Sequence, residues 1–457
     1  MHVKLDTLAV LVDRIPALRL DSLRQFGRKF LRERQRFLVS LLALSFAGQR
    51  AHAAEPWSTA LDRSYLLDGL RVSRSGYKAL IGTLYKFCGG NSGYDRDRRL
   101  SKAYQLRPEI RRAYEELLSS QTFPVIWEDD NGDQCPPPTS GVPPGVPLQL
   151  PAVVPLSTDA VDRALLTVER WIAGAKEQDE DGAHWPLTHG RPFTLDAARC
   201  LLLECRAWCR SLGGLPSLYV EQSNGRLGPA CTPHVIQLPQ RLRSLLFCDS
   251  GWYDYDLDSS HWRSFASLAS AYSIRTDRVR EYVDNKAALH ERWAEQAGIR
   301  HTGLLKPVVL SFLTGGSLAA TSYTESGRSI GVDAMRRLAA VPELIALREE
   351  ANAGMRRVVD LLKTPDGQVT SAIGKTIDAG SFAVAAAHVL TGAEQFAVRT
   401  MATEAKPVAL IYDGMVARQV DTARLERLVA ERSTEALGFP LHVRLRERCF
   451  TAPECYR

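Results

Sequence analysis

The stretch that most constrains the fold of this chain is residues 251–268, with the sequence GWYDYDLDSSHWRSFASL. Its first half is aromatic and β-favouring, and it carries acidic residues at alternate positions, Asp254, Asp256 and Asp258, before a polar turn and a helical pattern. Burying a carboxylate is costly unless something pairs with it, and a hard divalent cation is the simplest such partner. The alternative interpretation is a strand end with solvated acids and an Asp/Ser helix cap.

The composition is that of a globular protein with a slightly basic surface. With 457 residues, 45% of them hydrophobic, the chain has room for two or three domains with real cores. The net charge of +6, from 58 basic and 52 acidic residues, mildly favours a polyanionic partner. The cysteines are odd in number and lack the spacing of a zinc site, which indicates buried free thiols and a cytoplasmic protein.

Residues 34–54, RQRFLVSLLALSFAGQRAHAA, imitate a secretory signal with basic residues, a short apolar run and an A-x-A-like end. The stretch begins too far into the chain, and we interpret it as an amphipathic or buried helix. No apolar run in the sequence reaches the length of a membrane span, so we expect no membrane partner.

Composition divides the chain into four parts. Residues 1–125 are predicted to form an arginine-rich helical domain that binds nucleic acid or a partner, although such charge runs are also typical of solvated helix faces. Residues 126–157 are rich in proline and predict an extended linker or a long surface loop. Residues 158–218 return to a helical pattern, with Asp159 as the expected N-cap, and residues 219–457 differ in kind.

A series of short motifs after residue 219 resembles the polymerase core of family A DNA polymerases, in the same order. SNGRL (223–227) is similar to the family's T-G-R-L segment, and IQLP (236–239) and RLRSLLF (241–247) follow like its L-Q-N-x-P and I-R segments. YDLDSSHWRSFASL (255–268) then lies over the family's D-Y-S-Q-I-E-L-R strand without a gap.

The later motifs continue the resemblance to about residue 450. KPVVLSFLTG (306–315) has the family's lysine and glycine spacing, with Thr314 in place of tyrosine and Arg300 as a substitute for a missing arginine. PVALIYDGM (407–415) resembles the strand that ends His-Asp-Glu in DNA polymerases and His-Asp-Ser in single-subunit phage RNA polymerases. The segment ALGFPLHVRL (436–445) is similar to the family's closing G-x-P-L-x-V strand.

The resemblance implies an α+β fold of right-hand polymerase architecture, with an antiparallel palm sheet, helical fingers and a helical thumb. Residues 158–218 would be the thumb-like region, and residues 219–457 the palm and fingers. Catalysis would use two Mg²⁺ ions, or Mn²⁺, held by carboxylates from separate strands. The expected catalytic and metal-binding residues are Asp256 and Asp413, with the backbone of Leu257 as a further ligand and Asp254 in reserve.

The resemblance also implies roles for residues around the carboxylates. Lys306 would meet the triphosphate of the incoming nucleotide as a point charge, supported by Arg263 and Arg300, while Thr314 and Gly315 would leave a floor for the base pair. Lys306 is otherwise interpreted as an exposed residue at a helix start, since Pro307 suits a first turn. The residues expected to contact the primer–template are Arg226, Gln237, Arg243 and Tyr412.

His261 occupies the position at which DNA polymerases of the family block the 2′-hydroxyl with a glutamate. A bulky histidine favours dNTPs, although it is also able to donate a hydrogen bond to a 2′-hydroxyl. Residues 1–125 lack the spaced acidic clusters of an exonuclease. We therefore predict a DNA polymerase without proofreading, acting on a DNA primer–template in the replication of a plasmid, phage or other mobile element, or in repair or defence.

Three alternatives stay open from the sequence. The first is a single-subunit RNA polymerase or primase-like enzyme that uses NTPs, with either DNA or RNA as the template. The second is a degenerate palm that binds nucleic acid without catalysis, motivated by Thr314, Tyr412 and Gly414 in place of the family's residues. The third is a helical scaffold protein, which requires Asp256 and Asp413 to lie far apart.

Overall fold

The computed structural model describes residues 2–5, 58–60, 85–87, 103–131, 133–177, 184–185, 193–231, 233–248, 250–321, 323–324, 327 and 330–451. The arginine-rich helices expected before residue 103, and the apolar stretch 34–54, lie almost wholly outside these residues.

Helices make up most of the described residues. The α-helices are α1 (Pro108–Ser120), α2 (Thr158–Glu177), α3 (Leu195–Leu212), α4 (Gln240–Phe247), α5 (Ser260–Ala271), α6 (Asp277–Ala297), α7 (Leu305–Ser311), α8 (Val332–Leu338), α9 (Pro342–Leu362), α10 (Phe382–Ala405) and α11 (Thr422–Leu437). Short 3-10 helices are Val235–Gln237, Thr302–Leu304 and Phe312–Thr314.

The strands are short and pair antiparallel in small sheets. They are β1 (His2–Leu5), β2 (Ser58–Ala60), β3 (Tyr85–Phe87), β4 (Ala103–Leu106), β5 (Val125–Glu128), β6 (Val153–Pro155), β7 (His184–Trp185), β8 (Phe193–Thr194), β9 (Gly214–Pro216), β10 (Tyr219–Glu221), β11 (Leu227–Pro229), β12 (Tyr253–Leu257), β13 (Gln368–Thr370), β14 (Thr376–Asp378), β15 (Ala409–Ile411), β16 (Gly414–Ala417) and β17 (Leu445–Cys449). The α+β class is thereby confirmed, while the right-hand architecture stays a prediction.

The first hydrophobic core joins α1, α2, α3 and α4. Their apolar stripes bury residues such as Leu117, Val168 and Leu202 together. Cys200, Cys205 and Cys209 of α3 lie inside this core as free thiols, as the sequence predicted. Burial raises the pKa of all three thiols, so they behave as small hydrophobic side chains here.

The start of α2 differs from the prediction by two residues. Ser157 lies just before the helix, and its Oγ accepts a hydrogen bond of 3.1 Å from the backbone N–H of Ala160. Ser157 is therefore the cap, and the prediction of Asp159 as N-cap is wrong. Serine and aspartate are equally good caps, so the sequence could not separate them, and Asp159 instead lies in the first turn, where it complements the helix dipole.

The proline-rich segment packs against the rest of the chain. Gly141 N–H donates to the carbonyl of Leu150, and its own carbonyl accepts from Tyr219, both at 2.8 Å. Val142, Leu148 and Leu150 are buried in the same core as Tyr255 of β12. The part of this segment between β5 and β6, which has no regular strand or helix, thus packs in the same core as the strand that carries the acidic residues.

The second core is mainly helical and follows β12 in the chain. It buries residues of α5, α6, α7, α8 and α9 with the first half of α10, including Phe265, Trp293, Phe312 and Met355. The second half of α10 packs instead with the sheet, through Val398 and Met401. One long helix thereby joins the helical region to the sheet.

The sheet that positions the site has four antiparallel strands in the order β15–β16–β12–β17. Asp256 stands opposite Gly414 on one neighbour and Arg446 on the other. The third core, with α10 and α11, buries Tyr255, Met415 and Ala417 of this sheet. Among the described residues, no helix is both long and apolar enough to cross a membrane.

Phe265 tests the packing of the helical core. Its ring is fully buried and lies so close to Gly354 of α9 that a Cβ there would come within 2.8 Å of it. We expect Phe265→Ala to lower the free energy of unfolding by about 3–5 kcal/mol, because lost transfer energy and a cavity add. Chemical denaturation followed by circular dichroism measures this. Leu166→Ala, at a position 50% exposed, is the control, and an equal loss in both variants would contradict the assignment of the core.

Candidate active site

The sheet brings Asp256 and Asp413 side by side. β15 and β16 are joined by a tight turn formed by Tyr412 and Asp413, and the N–H of Leu257 donates to the carbonyl of Asp413 at 3.0 Å. Asp256 is the residue paired with Gly414, directly after Asp413. The two acids are therefore neighbours on adjacent strands, which excludes the scaffold alternative that needs them far apart.

The backbone conformation is unusual or crowded on both sides of Asp413. Tyr412 has φ 48°, a left-handed conformation that residues with a Cβ adopt rarely. At Gly414, a Cβ would overlap the carbonyl oxygen of Tyr255 on the neighbouring strand. Glycine is therefore required at the position where the DNA polymerases of the family carry an acid.

Burial and like charge act together on Asp413. Burial and the negative charges of Asp256 and Glu394 together raise the pKa of its carboxyl to about 7, against the lowering effects of a backbone hydrogen bond and Lys306. An acid with such a pKa is short of positive charge. The pair therefore has the electrostatics of a cation site.

The three alternate acids of the 251–268 stretch are met by arginines. Asp254 is only 4% exposed, and its Oδ2 lies 3.9 Å from both Arg243 and Arg448. Burial raises the pKa of Asp254, although both arginines act in the opposite direction. Asp254 is thus an internal charge of the sheet rather than an open ligand.

Asp256 and Asp258 have their own partners. Arg448 Nη2 lies 2.9 Å from Asp256 Oδ2, and Arg446 Nη2 lies 3.0 Å from Asp258 Oδ1. Arg263 also pairs with Asp258, at 3.5 Å, and donates to its backbone carbonyl. Arg263 therefore stabilises the start of α5. Its expected role in triphosphate binding did not include these contacts.

Two lysines face the carboxylates from the helical region. Lys306 is exposed at the start of α7, and its charge acts on Asp413. Lys286 of α6 donates to Ser259 Oγ at 3.0 Å. Burial lowers the pKa of Lys286, and the charges of Lys306 and Arg446 act in the same direction against those of Asp258 and Asp256. Sequence reasoning missed Lys286, which belongs to no motif.

A buried carboxylate on α10 connects several predicted residues. Glu394 is 2% exposed and accepts hydrogen bonds from Arg226 and, at 2.7 Å, from Ser260 Oγ. His261 Nε2 lies 3.3 Å from Oε2, the oxygen that also accepts from Ser260, whereas Arg226 contacts Oε1. Burial alone would raise the pKa of Glu394, but contacts with His261, Arg226 and Ser260 lower it to about 2. The signal for this residue was an acid inside the apolar helical pattern 382–405.

The next residue on α10, Gln395, fixes the turn that carries Asp413. Gln395 Nε2 donates to the carbonyl of Tyr412 at 3.1 Å. The Arg226 guanidinium, besides its contact with Glu394, lies 5.8 Å from the centre of the Tyr412 ring, which is 44% exposed. Arg226, His261 and Tyr412 are thus gathered around the acidic pair.

Other predicted residues lie further from this group or serve the scaffold. Thr314 Oγ1 donates to the carbonyl of Ser311 at 3.0 Å, and a Cβ at Gly315 (φ 89°) would lie 3.2 Å from the Phe382 ring. Both residues lie beyond the end of α7 that is remote from Lys306. Arg300 is exposed after α6, and the described residues contain no ion-pair partner for it. Gln237 is half-buried in its 3-10 turn. Arg243, whose pKa is lowered by burial, faces Asp254.

The residues present fit a hard divalent cation. Asp256 and Asp413 form a pair, and the described part of the chain holds no metal-like cluster of three or more His, Cys, Asp or Glu residues. Mg²⁺ in nucleotide-using proteins is commonly bound by one or two carboxylates together with waters and substrate phosphates. Two adjacent carboxylates, of which Asp413 makes no ion pair with a described residue, meet that requirement.

Comparison with known proteins finds similarity among solved structures. No family model matches the chain, and no curated protein matches it. Among solved structures it is similar to the POL domain of Pol1 from M. smegmatis in complex with a DNA primer-template and dNTP. The TM-score is 0.41 at 15% identity, over 66% of this chain and 68% of that one. Similarity at this level does not transfer residue roles.

The raised pKa of Asp413 has a consequence for stability. A carboxyl with an ordinary value of 3.8 and a folded value of about 7 costs stability above pH 7, and that cost disappears as the pH falls towards 3.8. We expect Asp413→Asn to raise the free energy of unfolding at pH 8, on the order of 2 kcal/mol. Thermal melts in EDTA from pH 8 to pH 4 measure it. Asp360→Asn, on the exposed side of α9, is the control, and a gain that persists at pH 4 would refute the cause.

The lowered pKa of Glu394 has the opposite sign. Its contacts stabilise the fold above pH 4.5, and that contribution is lost as the pH falls from 4.5 towards 2. We expect Glu394→Gln to cost about 1–3 kcal/mol at pH 7, because Arg226 and His261 lose a buried counter-charge. Thermal melts at pH 7 and pH 3.5 should show the difference narrowing at acid pH. Glu404→Gln, from an exposed pair with Arg424, should cost much less; equal costs would count against the network.

Proposed function

We propose that this protein is a template-directed nucleotidyltransferase, a DNA polymerase without proofreading that extends a primer with dNTPs. The observation that carries the proposal is that the turn with Asp413 is fixed beside Asp256, because Asp256 pairs with Gly414 and the N–H of Leu257 donates to the carbonyl of Asp413. In this proposal the four-stranded sheet is the palm, α5 to α9 with the first half of α10 are the fingers, and residues 158–218 are the thumb.

Asp256 and Asp413 would hold Mg²⁺ or Mn²⁺, with the backbone of Leu257 beside them. Two such ions stabilise the attacking and leaving oxygens of an in-line phosphoryl displacement. The chain's contribution is to keep both carboxylates adjacent through strand pairing, so that little reorganisation is needed when substrate arrives. The hydrogen bond from Leu257 to Asp413 fixes one turn against the other strand.

Basic residues on the helical side would receive the nucleotide. Lys306 is exposed and electrostatically linked to Asp413, and Lys286 lies close enough to Lys306 and Arg446 for their charges to lower its pKa. A triphosphate between these lysines would neutralise cations that now repel one another. Lys286 therefore joins Lys306 in the proposed nucleotide site, with Arg300 and the Thr314–Gly315 turn further out.

Nucleic acid would lie on the side of Arg226 and Tyr412. Tyr412 offers an exposed ring at the tip of the acidic turn, and Arg226 is a charged donor beside it. Such pairs suit sequence-independent contacts with a primer end. Gln237 and Arg243 act from within the scaffold in this proposal, since both are substantially buried.

The preference for dNTPs rests on His261. His261 lies in the first turn of α5, shortly after the strand of Asp256. Its imidazole is 20% exposed and lies near Glu394. A bulky ring fixed in this position would crowd a 2′-hydroxyl, whereas a free ring would be able to turn and bond to it.

A catalytically degenerate nucleic-acid-binding protein is the second candidate. The observation that favours it is the ion pair between Arg448 and Asp256, which occupies one carboxylate oxygen. The two candidates differ in whether a divalent cation displaces that arginine.

Primer extension with purified protein tests the proposal. A labelled primer on DNA or RNA template is offered dNTPs or NTPs with Mg²⁺, beside Asp256→Ala, Asp413→Ala and the exposed control Asp360→Ala. We expect dNTP-dependent extension that both active-site changes reduce by at least about 10³-fold, because the carboxylates hold the metal, while fluorescence anisotropy shows that primer binding persists. Extension with NTPs alone would indicate an RNA polymerase or primase. Binding without any extension would support the degenerate protein, and activity equal to wild type in the variants would refute the site.

A further inference from the structure

The closing strand β17 places arginines against the acidic strand. Arg446 stands opposite Asp256, and Arg448 stands opposite Asp254, in the antiparallel register of β17 with β12. Residues two apart on a strand share a face, so both guanidinium groups lie along the acidic side of β12. The sequence RLRERC (444–449) shows this alternation, but no motif pointed to it.

Arg448 bridges two acids of different character. Its Nη2 lies 2.9 Å from Asp256 Oδ2, and its Nη1 lies 3.9 Å from Asp254 Oδ2. Asp254 keeps a second partner in Arg243, which is almost as buried as Asp254 itself. Within the described part of the chain, the ion pair with Arg448 is the one that Asp256 makes.

The ion pair between Asp256 and Arg448 is more exposed to solvent than the one between Asp254 and Arg243. Both side chains are 31% exposed, whereas Asp254 and Arg243 are exposed by only 6% and 12%. Exposed ion pairs are weak, and the long arginine stem is able to swing without disturbing the sheet. Releasing Asp256 leaves Asp254 paired, so the movement does not strand a buried charge.

We propose that Arg448 is a positioning residue that holds Asp256 in the cation-free protein and competes with a divalent cation for it. The inference rests on the proposed function, since it concerns the same carboxylates. The Arg448 guanidinium makes an ion pair with Asp256 but not with Asp413, and no described residue makes an ion pair with Asp413. A divalent cation serves both acids, which gives it the advantage over Arg448.

Direct binding of Mn²⁺ tests the proposal without any turnover. Free Mn²⁺ is measured by electron paramagnetic resonance in titrations of the full chain and its Arg448→Gln variant. We expect Arg448→Gln to tighten Mn²⁺ binding by roughly five- to tenfold, because a competitor of modest strength is removed. The matched control is Arg446→Gln, which removes an equal charge from the same strand face but pairs with Asp258. Its effect should be no more than about twofold, as expected of a charge without direct contact.

A double variant separates competition from a general field effect. In an Asp256→Asn background, Arg448→Gln should no longer change Mn²⁺ binding, because the shared carboxylate is gone. Arg448→Lys keeps the charge but loses the fork of donors, and we expect it to give an intermediate tightening. It replaces Arg448→Gln in the comparison if that variant does not fold. Circular dichroism in EDTA establishes folding for each variant.

The outcomes distinguish this inference from the proposed function. Unchanged or weaker Mn²⁺ binding in both Arg448 variants, or equal tightening in Arg446→Gln, overturns the competition while leaving the carboxylate site intact. Tightening that depends on Asp256, in a protein that extends no primer, supports the competition and removes the polymerase assignment. An absence of Mn²⁺ binding in wild type and all variants overturns both.

Discussion

Antiparallel pairing between β12 and the β15–β16 hairpin is the constraint on which the site depends. It forces Asp256 and Asp413 to be neighbours, and the hydrogen bond from Leu257 to Asp413 fixes their register. Like charges held together destabilise a protein unless the surroundings compensate. Compensating positive charge comes from Arg448 on the same sheet and from Lys306 on the helical side.

The helix α10 connects this pair to the rest of the molecule. Its first half is packed in the helical core and its second half under the sheet. Between them, Glu394 binds the start of α5, and Gln395 binds the turn at Tyr412. Adjacent residues of one helix thus fix the chain after Asp256 and the chain before Asp413, so any displacement of α10 is felt at both.

The sequence predicted the elements whose signals are local. An aromatic strand with alternate acids, a helix starting near Ser260, and a hydrophobic strand ending near Asp413 were all visible as short patterns. Glu394, Lys286 and Arg448 were not, because each reaches the site from a distant part of the chain and has no motif around it. Their roles come from tertiary packing, which periodicity does not encode. Arg263 and Arg243 were visible as motif positions, but their ion pairs with Asp258 and Asp254 were not.

The proline-rich segment bears on how this protein can be divided. It looks dispensable in composition, yet Val142, Leu148 and Leu150 fill the core behind Tyr255, and Gly141 is hydrogen-bonded to Tyr219. A fragment that begins at residue 158 or 219 would uncover apolar surface directly behind the acidic strand. Because α1 also packs in the first core, a fragment with both cores intact must retain at least the residues from 108 onwards.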